Sequence, residues 1–323
     1  MITRREFVAG ALAAPALCRS GRSAYGPQRV LEHPERIFSG IMALDDVMGP
    51  LCPGGLICVA ARPCHGKTPL LLQVALNFCE TRQQNVIFAS LREPPASIAV
   101  CAPTGRQTHA LYDQVPDLKL WSPEEFPASP RVFIVAAQTD NMHHVGRVSR
   151  YLQLMHPASC GLVVLDGWTS DPSEAAPVDW ASLCARYGAS VELQPAPDAR
   201  PVLLRDAHLR MAQYMARMLK LPVLLGIRTA FNLQTHQGPK PSDLLSIRYA
   251  VEARAMQTVW LHRPELYWKN ARRHDLKGIT RLVGQRDRYD GARPMRSVMR
   301  YWPSHRAFVT AYGPLPDEMV ARL

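Results

Sequence analysis

The sequence predicts an α/β fold in which a mostly parallel central sheet is covered by helices on both faces. Apolar runs of strand length alternate along the chain with segments whose apolar residues recur at helical spacing. Such alternation is typical of parallel sheets that are buried between two layers of helices. With 323 residues, of which 47% are hydrophobic, the chain is long enough to bury one large core or two small ones.

Each predicted element is an apolar segment with the period of a strand or a helix. The predicted strands are LICVA (56–60), NVIFASL (85–91), RVFIVAA (131–137), GLVVLDGW (161–168), LPVLLGI (221–227) and QTVWLH (257–262). The predicted helices are LLLQVALNFCETR (70–82), HHVGRVSRYLQLM (143–155) and RDAHLRMAQYMARMLK (205–220). We expect a ligand at the C-terminal ends of the strands, where parallel α/β sheets bind their ligands.

The octapeptide between the first strand and the first helix, ARPCHGKT, fits the consensus of a phosphate-binding loop. That consensus is a small residue, four variable residues and then Gly-Lys-Ser/Thr. The predicted nucleotide contacts are Ala61, Arg62, Pro63, Cys64, His65, Gly66, Lys67 and Thr68. In a strand, loop and helix arrangement, backbone N–H groups and the helix N-terminus point at phosphate oxygens. Lys67 is expected to reach the β- and γ-phosphates, and Thr68 to ligate Mg²⁺.

A later strand, GLVVLDGW, ends its apolar run at Asp166. In ATPases with this loop, an acidic residue at the end of a downstream strand holds the metal ion through water. An apolar run that ends in Asp is common by itself, but this one follows the phosphate-binding loop in the expected order. Loop and strand together predict a site for ATP and Mg²⁺, with Thr68 and Asp166 as the metal ligands.

The order of these motifs resembles the RecA-like motor domain of the DnaB-type replicative helicases. The segments that carry the likeness are FSGIMALDDVMGPLCPGGLICVAARPCHGKTPLLLQVALN (38–77), VIFASLRE (86–93), LVVLDGW (162–168), LKLPVLLGIR (219–228), KPSDLLSIRYAVEARAMQTVWLHRPELYW (240–268) and VGQRDRYDGARPM (283–295). The Ala-Arg-Pro element that opens the loop is more specific than the loop itself, because most P-loop families lack it. The resemblance implies a RecA-like P-loop NTPase domain over residues 36–312.

The resemblance also implies an activity, that of an ATP-dependent DNA helicase or translocase. Such a motor acts on single-stranded DNA as a homo-hexameric ring, with a replication loader as a further partner. The loop 232–250 is expected to face the central channel, where Lys240 and Arg248 would follow DNA phosphates without reading bases. Arg286 matches the arginine that enters the ATP site of the neighbouring subunit and, together with Lys67, would stabilise charge on the γ-phosphate.

The catalytic carboxylate departs from the family pattern by one position. In the family, the glutamate that polarises the attacking water follows Ser-Leu directly, whereas this chain has Arg92 there and Glu93 next. A shift of one residue turns a strand side chain to the other face of the sheet. Glu93 is therefore the predicted base on the condition that Pro94 and Pro95 loosen the strand end and realign it.

Two further departures from the family pattern favour a second function. Arg228 stands in place of a polar sensor glutamine. Gly284 stands in place of a lysine of the basic finger, the segment that carries Arg286 into the neighbouring subunit. Together with the displaced glutamate, they favour a degenerate relative that binds nucleotide and DNA without unwinding. A third alternative is a RecA-like regulatory ATPase of another kind. The Ala-Arg-Pro element and the finger segment argue against this alternative.

The charge of the chain favours phosphate-rich partners. Lys and Arg outnumber Asp and Glu by 38 to 27, a formal net charge of +11. Most of the excess lies in residues 269–306, which contain eleven Lys or Arg and three Asp. This segment is interpreted either as a nucleic-acid contact or as a basic subunit edge, and a solvated charged face explains part of it in both cases.

The remaining segments are predicted to be an N-terminal extension (1–35), an exposed insertion (169–201) and a C-terminal tail (313–323). The extension, with Arg4 and Arg5 before a short apolar stretch, resembles a twin-arginine export signal. ATP is scarce outside the cytoplasm, so a cytoplasmic location is predicted and export is the alternative. The insertion is either a tolerated surface loop or a partner contact. No apolar run reaches the length of about 18 residues that a membrane-spanning helix needs.

Overall fold

Ten strands and five α-helices make up the part of the chain that the computed structural model describes, which is residues 37–106, 110–112, 131–137, 142–155, 159–169, 203–229, 244, 251, 254–267, 277–286 and 295–310. The strands are β1 (Leu56–Ala61), β2 (Asn85–Ser90), β3 (Ala110–Tyr112), β4 (Val132–Ala136), β5 (Cys160–Thr169), β6 (Val223–Arg228), β7 (Gln257–His262), β8 (Ile279–Arg286), β9 (Met295–Trp302) and β10 (Ala307–Thr310). The helices are α1 (Met42–Met48), α2 (Lys67–Arg82), α3 (Pro95–Ala99), α4 (Met142–Met155) and α5 (Leu203–Leu219). A 3-10 helix spans Pro264–Tyr267.

All the strands belong to one sheet, in the order β10-β9-β8-β7-β1-β6-β5-β2-β4-β3. The strands from β7 to β3 in that order pair in parallel, whereas β7, β8, β9 and β10 pair antiparallel. The prediction of a mostly parallel sheet is confirmed, and so is every strand and helix predicted from the apolar pattern. The antiparallel extension β8 to β10, the short helices α1 and α3, and β3 were not predicted.

Two hydrophobic layers separate the sheet from its helices. One contains α1, α2 and α3, and the other contains α4 and α5, so helices cover both faces as expected. On β1, alternate residues from Ile57 to Ala61 belong to the first layer, and those from Leu56 to Ala60 belong to the second. Strands that are buried on both faces therefore have continuous apolar sequences. Each buried large aliphatic side chain contributes about 1.5–3 kcal/mol to the free energy of unfolding.

Helix α2 also holds the far edge of the sheet. The amide of Gln73 donates from Nε2 to the carbonyl oxygen of Phe308 (2.8 Å) and accepts at Oε1 from the backbone N–H of Phe308 (2.7 Å). One side chain thus satisfies both backbone groups of a residue on the edge strand β10, which would otherwise be open to further pairing. This attachment brings the antiparallel extension against the N-terminal half of α2.

None of the helices in the described part of the chain combines the length and apolarity that crossing a bilayer requires. The predicted N-terminal extension, the predicted insertion after Thr169 and the predicted tail lie outside the described residues. The same holds for Lys240 and Arg248, the predicted DNA contacts.

Candidate nucleotide site

The loop between β1 and α2 has the backbone of an anion-binding turn. Gly66, its last residue, is in the left-handed conformation at φ +86 and precedes a helix that has no side-chain N-cap. A Cβ on Gly66 would also lie 2.8 Å from Cζ of Phe308. Both the backbone conformation and the close approach therefore require glycine. The uncapped first turn of α2 leaves its N–H groups available to an anion.

Three side chains predicted to bind nucleotide and metal converge beside this loop. The ammonium of Lys67 forms an ion pair with Oδ1 of Asp166, and the hydroxyl of Thr68 donates to Oδ2 at 2.5 Å. Asp166 is buried at the end of the apolar run on β5. A hydroxyl and a carboxylate at this spacing are the oxygen ligands that Mg²⁺ accepts alongside phosphates and waters. The described residues contain no cluster of three His, Cys, Asp or Glu that holds a metal by itself.

Gly226, which the motifs did not predict as a site residue, leaves the space that these side chains occupy. A Cβ there would collide with Oδ1 of Asp166, lie 2.7 Å from Cδ1 of Leu71 and lie 3.1 Å from Nζ of Lys67. The available signal was a single glycine inside the apolar strand LPVLLGI, since glycine within a strand often marks a close approach by another group. Gly226 therefore belongs to the site although it has no side chain to contribute.

Two charged side chains, Arg228 and Glu93, lie close enough to Lys67 to change its pKa. Burial lowers the pKa of the Lys67 ammonium from its usual value, the guanidinium of Arg228 lowers this pKa further, and the carboxylate of Glu93 opposes them. Both Arg228 and Glu93 thus act on the same buried ammonium, although they stand on different strand ends. The edge of the sheet at this point holds two cations and two carboxylates, including Asp166.

Strand β2 ends before Glu93, in a turn that is held by the side chain of Ser90. The hydroxyl of Ser90 donates to the carbonyl oxygen of Glu93 (2.6 Å) and accepts from its N–H (3.0 Å). Leu91 donates its backbone N–H to the carbonyl oxygen of Asp166 at 2.7 Å. The strand therefore ends at Ser90, so the strict alternation of faces no longer applies to Glu93.

Arg92 lies close to the bulged end of β5. A Cβ built on Gly167 would lie 3.1 Å from Cβ of Arg92, so Arg92 passes directly over the end of β5. Gly167 adopts φ +99 at a β-bulge between Asp166 and Trp168. The bulge and the missing Cβ together leave room for Arg92 to lie against β5.

Two buried histidines anchor the loop to β7. The rings of His65 and His262 lie 5.6 Å apart between centroids, and Nδ1 of His65 accepts the backbone N–H of Arg263 at 3.0 Å. Burial, with the charge of Arg62 next, lowers the pKa of His65 to about 4. Burial and the neighbouring His65 lower the pKa of His262 to about 3. Both rings are therefore neutral near pH 7, and the loop contributes no histidine charge to the site.

Arg286 is not brought to this loop within one chain. It is the last residue of β8 and pairs with Gln257, the first residue of β7. The loop follows the other end of the parallel strands, where Ala61 pairs with Leu261. Gln257 and Leu261 are four residue steps apart along β7, which is about 13 Å. The side chain of Arg286 lies outside the described residues.

Comparison with known proteins agrees with this geometry. Residues 37–101 match the family model of the DnaB-like helicase C terminal domain. A solved structure of a DnaB-like replicative helicase, described with its interactions with primase, is 16% identical over 84% of this chain, with a TM-score of 0.60. This chain covers 63% of the length of that helicase. The ATPase domain of G40P is 17% identical over 85% of this chain and 91% of its own length, with a TM-score of 0.59.

No curated protein sequence matches the chain. The family match covers β1, the loop, α2, β2 and α3, and the structural likeness extends the fold over most of the chain. The resemblance to the RecA-like C-terminal domain of the DnaB-type helicases is thereby confirmed.

Proposed function

We propose that the chain is an ATP-driven helicase or translocase motor that acts on single-stranded DNA as a ring. The observation that carries the proposal is the convergence of Lys67, Thr68 and Asp166 beside an uncapped helix start, in the space left open by Gly226. Leaving a buried charge without its partner is strongly destabilising. Lys67 would therefore exchange Asp166 for phosphate oxygens when a nucleotide binds.

The remaining roles follow from position. Thr68 and Asp166 would hold Mg²⁺, which supplies positive charge to the phosphates. Glu93 would orient and deprotonate the attacking water, since its carboxylate acts on Lys67 and the strand end is turned by Ser90. Arg286 would act on the ATP of the neighbouring subunit. Lys240 and Arg248 would contact DNA phosphates in the channel.

The alternative is a degenerate relative that binds nucleotide and DNA without unwinding. The position of Gly284 favours it, because a Cβ there would lie 2.5 Å from Cγ1 and 2.7 Å from the carbonyl oxygen of Val47 on α1. A lysine is therefore sterically excluded from the place where the family has one. Arg92 over Gly167 is the second observation in favour of the alternative.

ATP hydrolysis by the full chain, with and without single-stranded DNA, distinguishes the two functions. The motor predicts turnover that DNA stimulates, and a loss of about a hundredfold or more in Lys67→Ala and in Glu93→Gln. Exposed Arg150 on α4 lies on the opposite face of the sheet, so Arg150→Gln serves as the control and should keep full turnover. Nucleotide binding without turnover in the unmodified protein would exclude the motor and leave the degenerate relative.

A further inference from the structure

His65 is buried, although it lies in the middle of the phosphate-binding loop. Only 2% of the residue is exposed. Cys64 before it is exposed, and Gly66 after it is partly exposed. The loop therefore turns the imidazole of His65 into the protein, while the residues on either side of it stay in contact with solvent.

The two residues that flank His65 have left-handed backbone conformations. The φ angle is 64° at Cys64 and 86° at Gly66. Glycine adopts this conformation readily, whereas a residue with a Cβ does so at a cost in energy. A backbone of this kind persists only where the surrounding contacts hold it. A contact made by His65, which lies between the two residues, would fix the backbone on both sides.

The imidazole of His65 makes such a contact. Its Nδ1 accepts the backbone N–H of Arg263, the residue that follows β7, at 3.0 Å. Burial of the ring, together with the charges of Arg62 and Arg263, lowers the pKa of His65 to about 4. The ring is therefore neutral near pH 7, and Nδ1 keeps the lone pair with which it accepts the hydrogen bond.

The donor of this hydrogen bond is itself held in place. Nε of Arg263 donates to Oε1 of Glu265 at 3.0 Å. The guanidinium of Arg263 also lies over the ring of Tyr301, with Cζ 4.9 Å from the ring centroid. Glu265 in turn accepts the backbone N–H of Gly278 at Oε2 (2.6 Å). Contacts outside the loop thus fix the position of the N–H group that His65 accepts.

We propose that His65 is a positioning residue, whose Nδ1 holds the loop in the conformation that binds the phosphates of a nucleotide. The inference rests on the proposed function, because it requires that the loop bind a nucleotide. This role differs from that of a nucleotide contact, since the ring is turned into the protein and Nδ1 is occupied by the N–H of Arg263. Loss of the acceptor lowers the fraction of molecules in the binding conformation, and the apparent affinity falls by the same factor.

Calorimetric binding of a Mg-bound non-hydrolysable ATP analogue to the full chain tests the inference with three substitutions. His65→Ala removes the acceptor. His65→Asn places an oxygen acceptor the same number of bonds from the backbone as Nδ1, whereas His65→Gln places it one bond further away. We expect His65→Ala and His65→Gln to weaken binding by about tenfold or more, and His65→Asn to stay within about threefold of the unmodified protein.

His305→Ala is the matched control, because this histidine is exposed in the turn between β9 and β10. This substitution should leave the affinity unchanged. Thermal unfolding establishes that each variant is folded before its affinity is compared. If His65→Ala does not fold, the comparison of His65→Asn with His65→Gln decides the test.

The comparison of Asn with Gln separates positioning from the filling of space. Gln is closer to His in volume than Asn is, so a residue that only fills space would be replaced at least as well by Gln as by Asn. That result, or a His65→Asn variant that binds no better than His65→Ala, would overturn the inference while leaving nucleotide binding intact. An unmodified protein that does not bind the analogue would instead overturn the proposed function, and this inference with it.

Discussion

At Gly226 the site depends on the absence of a side chain. The apolar strand around it packs on both faces, and a single missing Cβ leaves room for an ion pair where the layer of α2 would otherwise continue. Lys67, Thr68 and Asp166 were predictable because their residue types and order form a recognisable motif. Gly226 was not, because its role depends on a contact between strands that are distant in sequence.

Replacing Gly226 by alanine is expected to damage the site more than the fold. The new Cβ would lie 2.7 Å from Leu71 and 3.1 Å from Nζ of Lys67, so the ammonium must move. Overpacking of this kind costs about 1–3 kcal/mol of unfolding free energy. We expect Gly226→Ala to lower that free energy by this amount and to weaken Mg-ATP binding by about tenfold or more. Urea unfolding and calorimetry measure the two effects.

Gly146→Ala provides the control for Gly226→Ala. Gly146 lies in α4 on the other face of the sheet, and a Cβ there would meet Met215 at 3.4 Å, an ordinary contact. Alanine is favoured over glycine in a helix by about 0.5–1 kcal/mol. Gly146→Ala should therefore keep or raise stability and leave nucleotide binding unchanged. Unaltered binding in Gly226→Ala would contradict the role assigned to Gly226.

Among the secondary-structure elements, the strands buried on both faces were predicted and the antiparallel extension was not. Strands such as β1 and β2 are uniformly buried, and their continuous apolar runs are visible in the sequence. In β8 and β9, residues such as Arg281 and Arg300 interrupt the apolar pattern, because one side of these strands is less covered. The high charge of the segment indicates a binding surface or a subunit edge, and the charged residues obscure the alternating pattern of the strands.

Gln73 connects this unpredicted extension to the predicted part of the fold. Removing the Gln73 side chain should lower the free energy of unfolding. Gln73→Ala would leave the buried backbone N–H and C=O of Phe308 without their partner. Each unsatisfied buried group costs about 1–3 kcal/mol. We expect a loss of about 2–4 kcal/mol in the free energy of unfolding, measured in urea.

Gln153 offers a comparison for the Gln73 measurement. Its side chain makes a single hydrogen bond of this kind, from Nε2 to the carbonyl oxygen of Leu219 at 2.9 Å, and it is only partly buried. Gln153→Ala should lower the free energy of unfolding by about 1 kcal/mol or less. If the two variants lost equal stability, the two-bond attachment of β10 would not be an important constraint on the fold.

Across the whole molecule, positive charge accumulates beyond β7. The described residues of 277–286 and 295–310 include six Lys or Arg and no Asp or Glu. Burial and the nearby Arg296 lower the pKa of Arg281 to about 10, so these two guanidinium groups lie close together. A surface of this kind fits either a neighbouring subunit with its bound phosphates or a nucleic-acid strand, and both interpretations remain predictions.

The position of Arg286 leads to a test of the ring itself. Arg286 lies at the opposite end of the strands from the loop, so the proposed ATP site of a single chain lacks it. In a ring with head-to-tail interfaces, the loop of one subunit would meet Arg286 of the next. Arg286→Ala should therefore lower ATP turnover by about a thousandfold, while nucleotide binding to a single chain stays unchanged.

Mixing two inactive variants separates this arrangement from any role within one chain. Lys67→Ala keeps an intact Arg286, and Arg286→Ala keeps an intact loop. In a randomly mixed ring, roughly a quarter of the interfaces would unite the two intact partners, so turnover should reappear on mixing. Mixing Lys67→Ala with a second protein that carries both substitutions is the control, because it creates no complete interface and should stay inactive. A mixture of the two single variants that also stays inactive would show that Arg286 does not act across the interface.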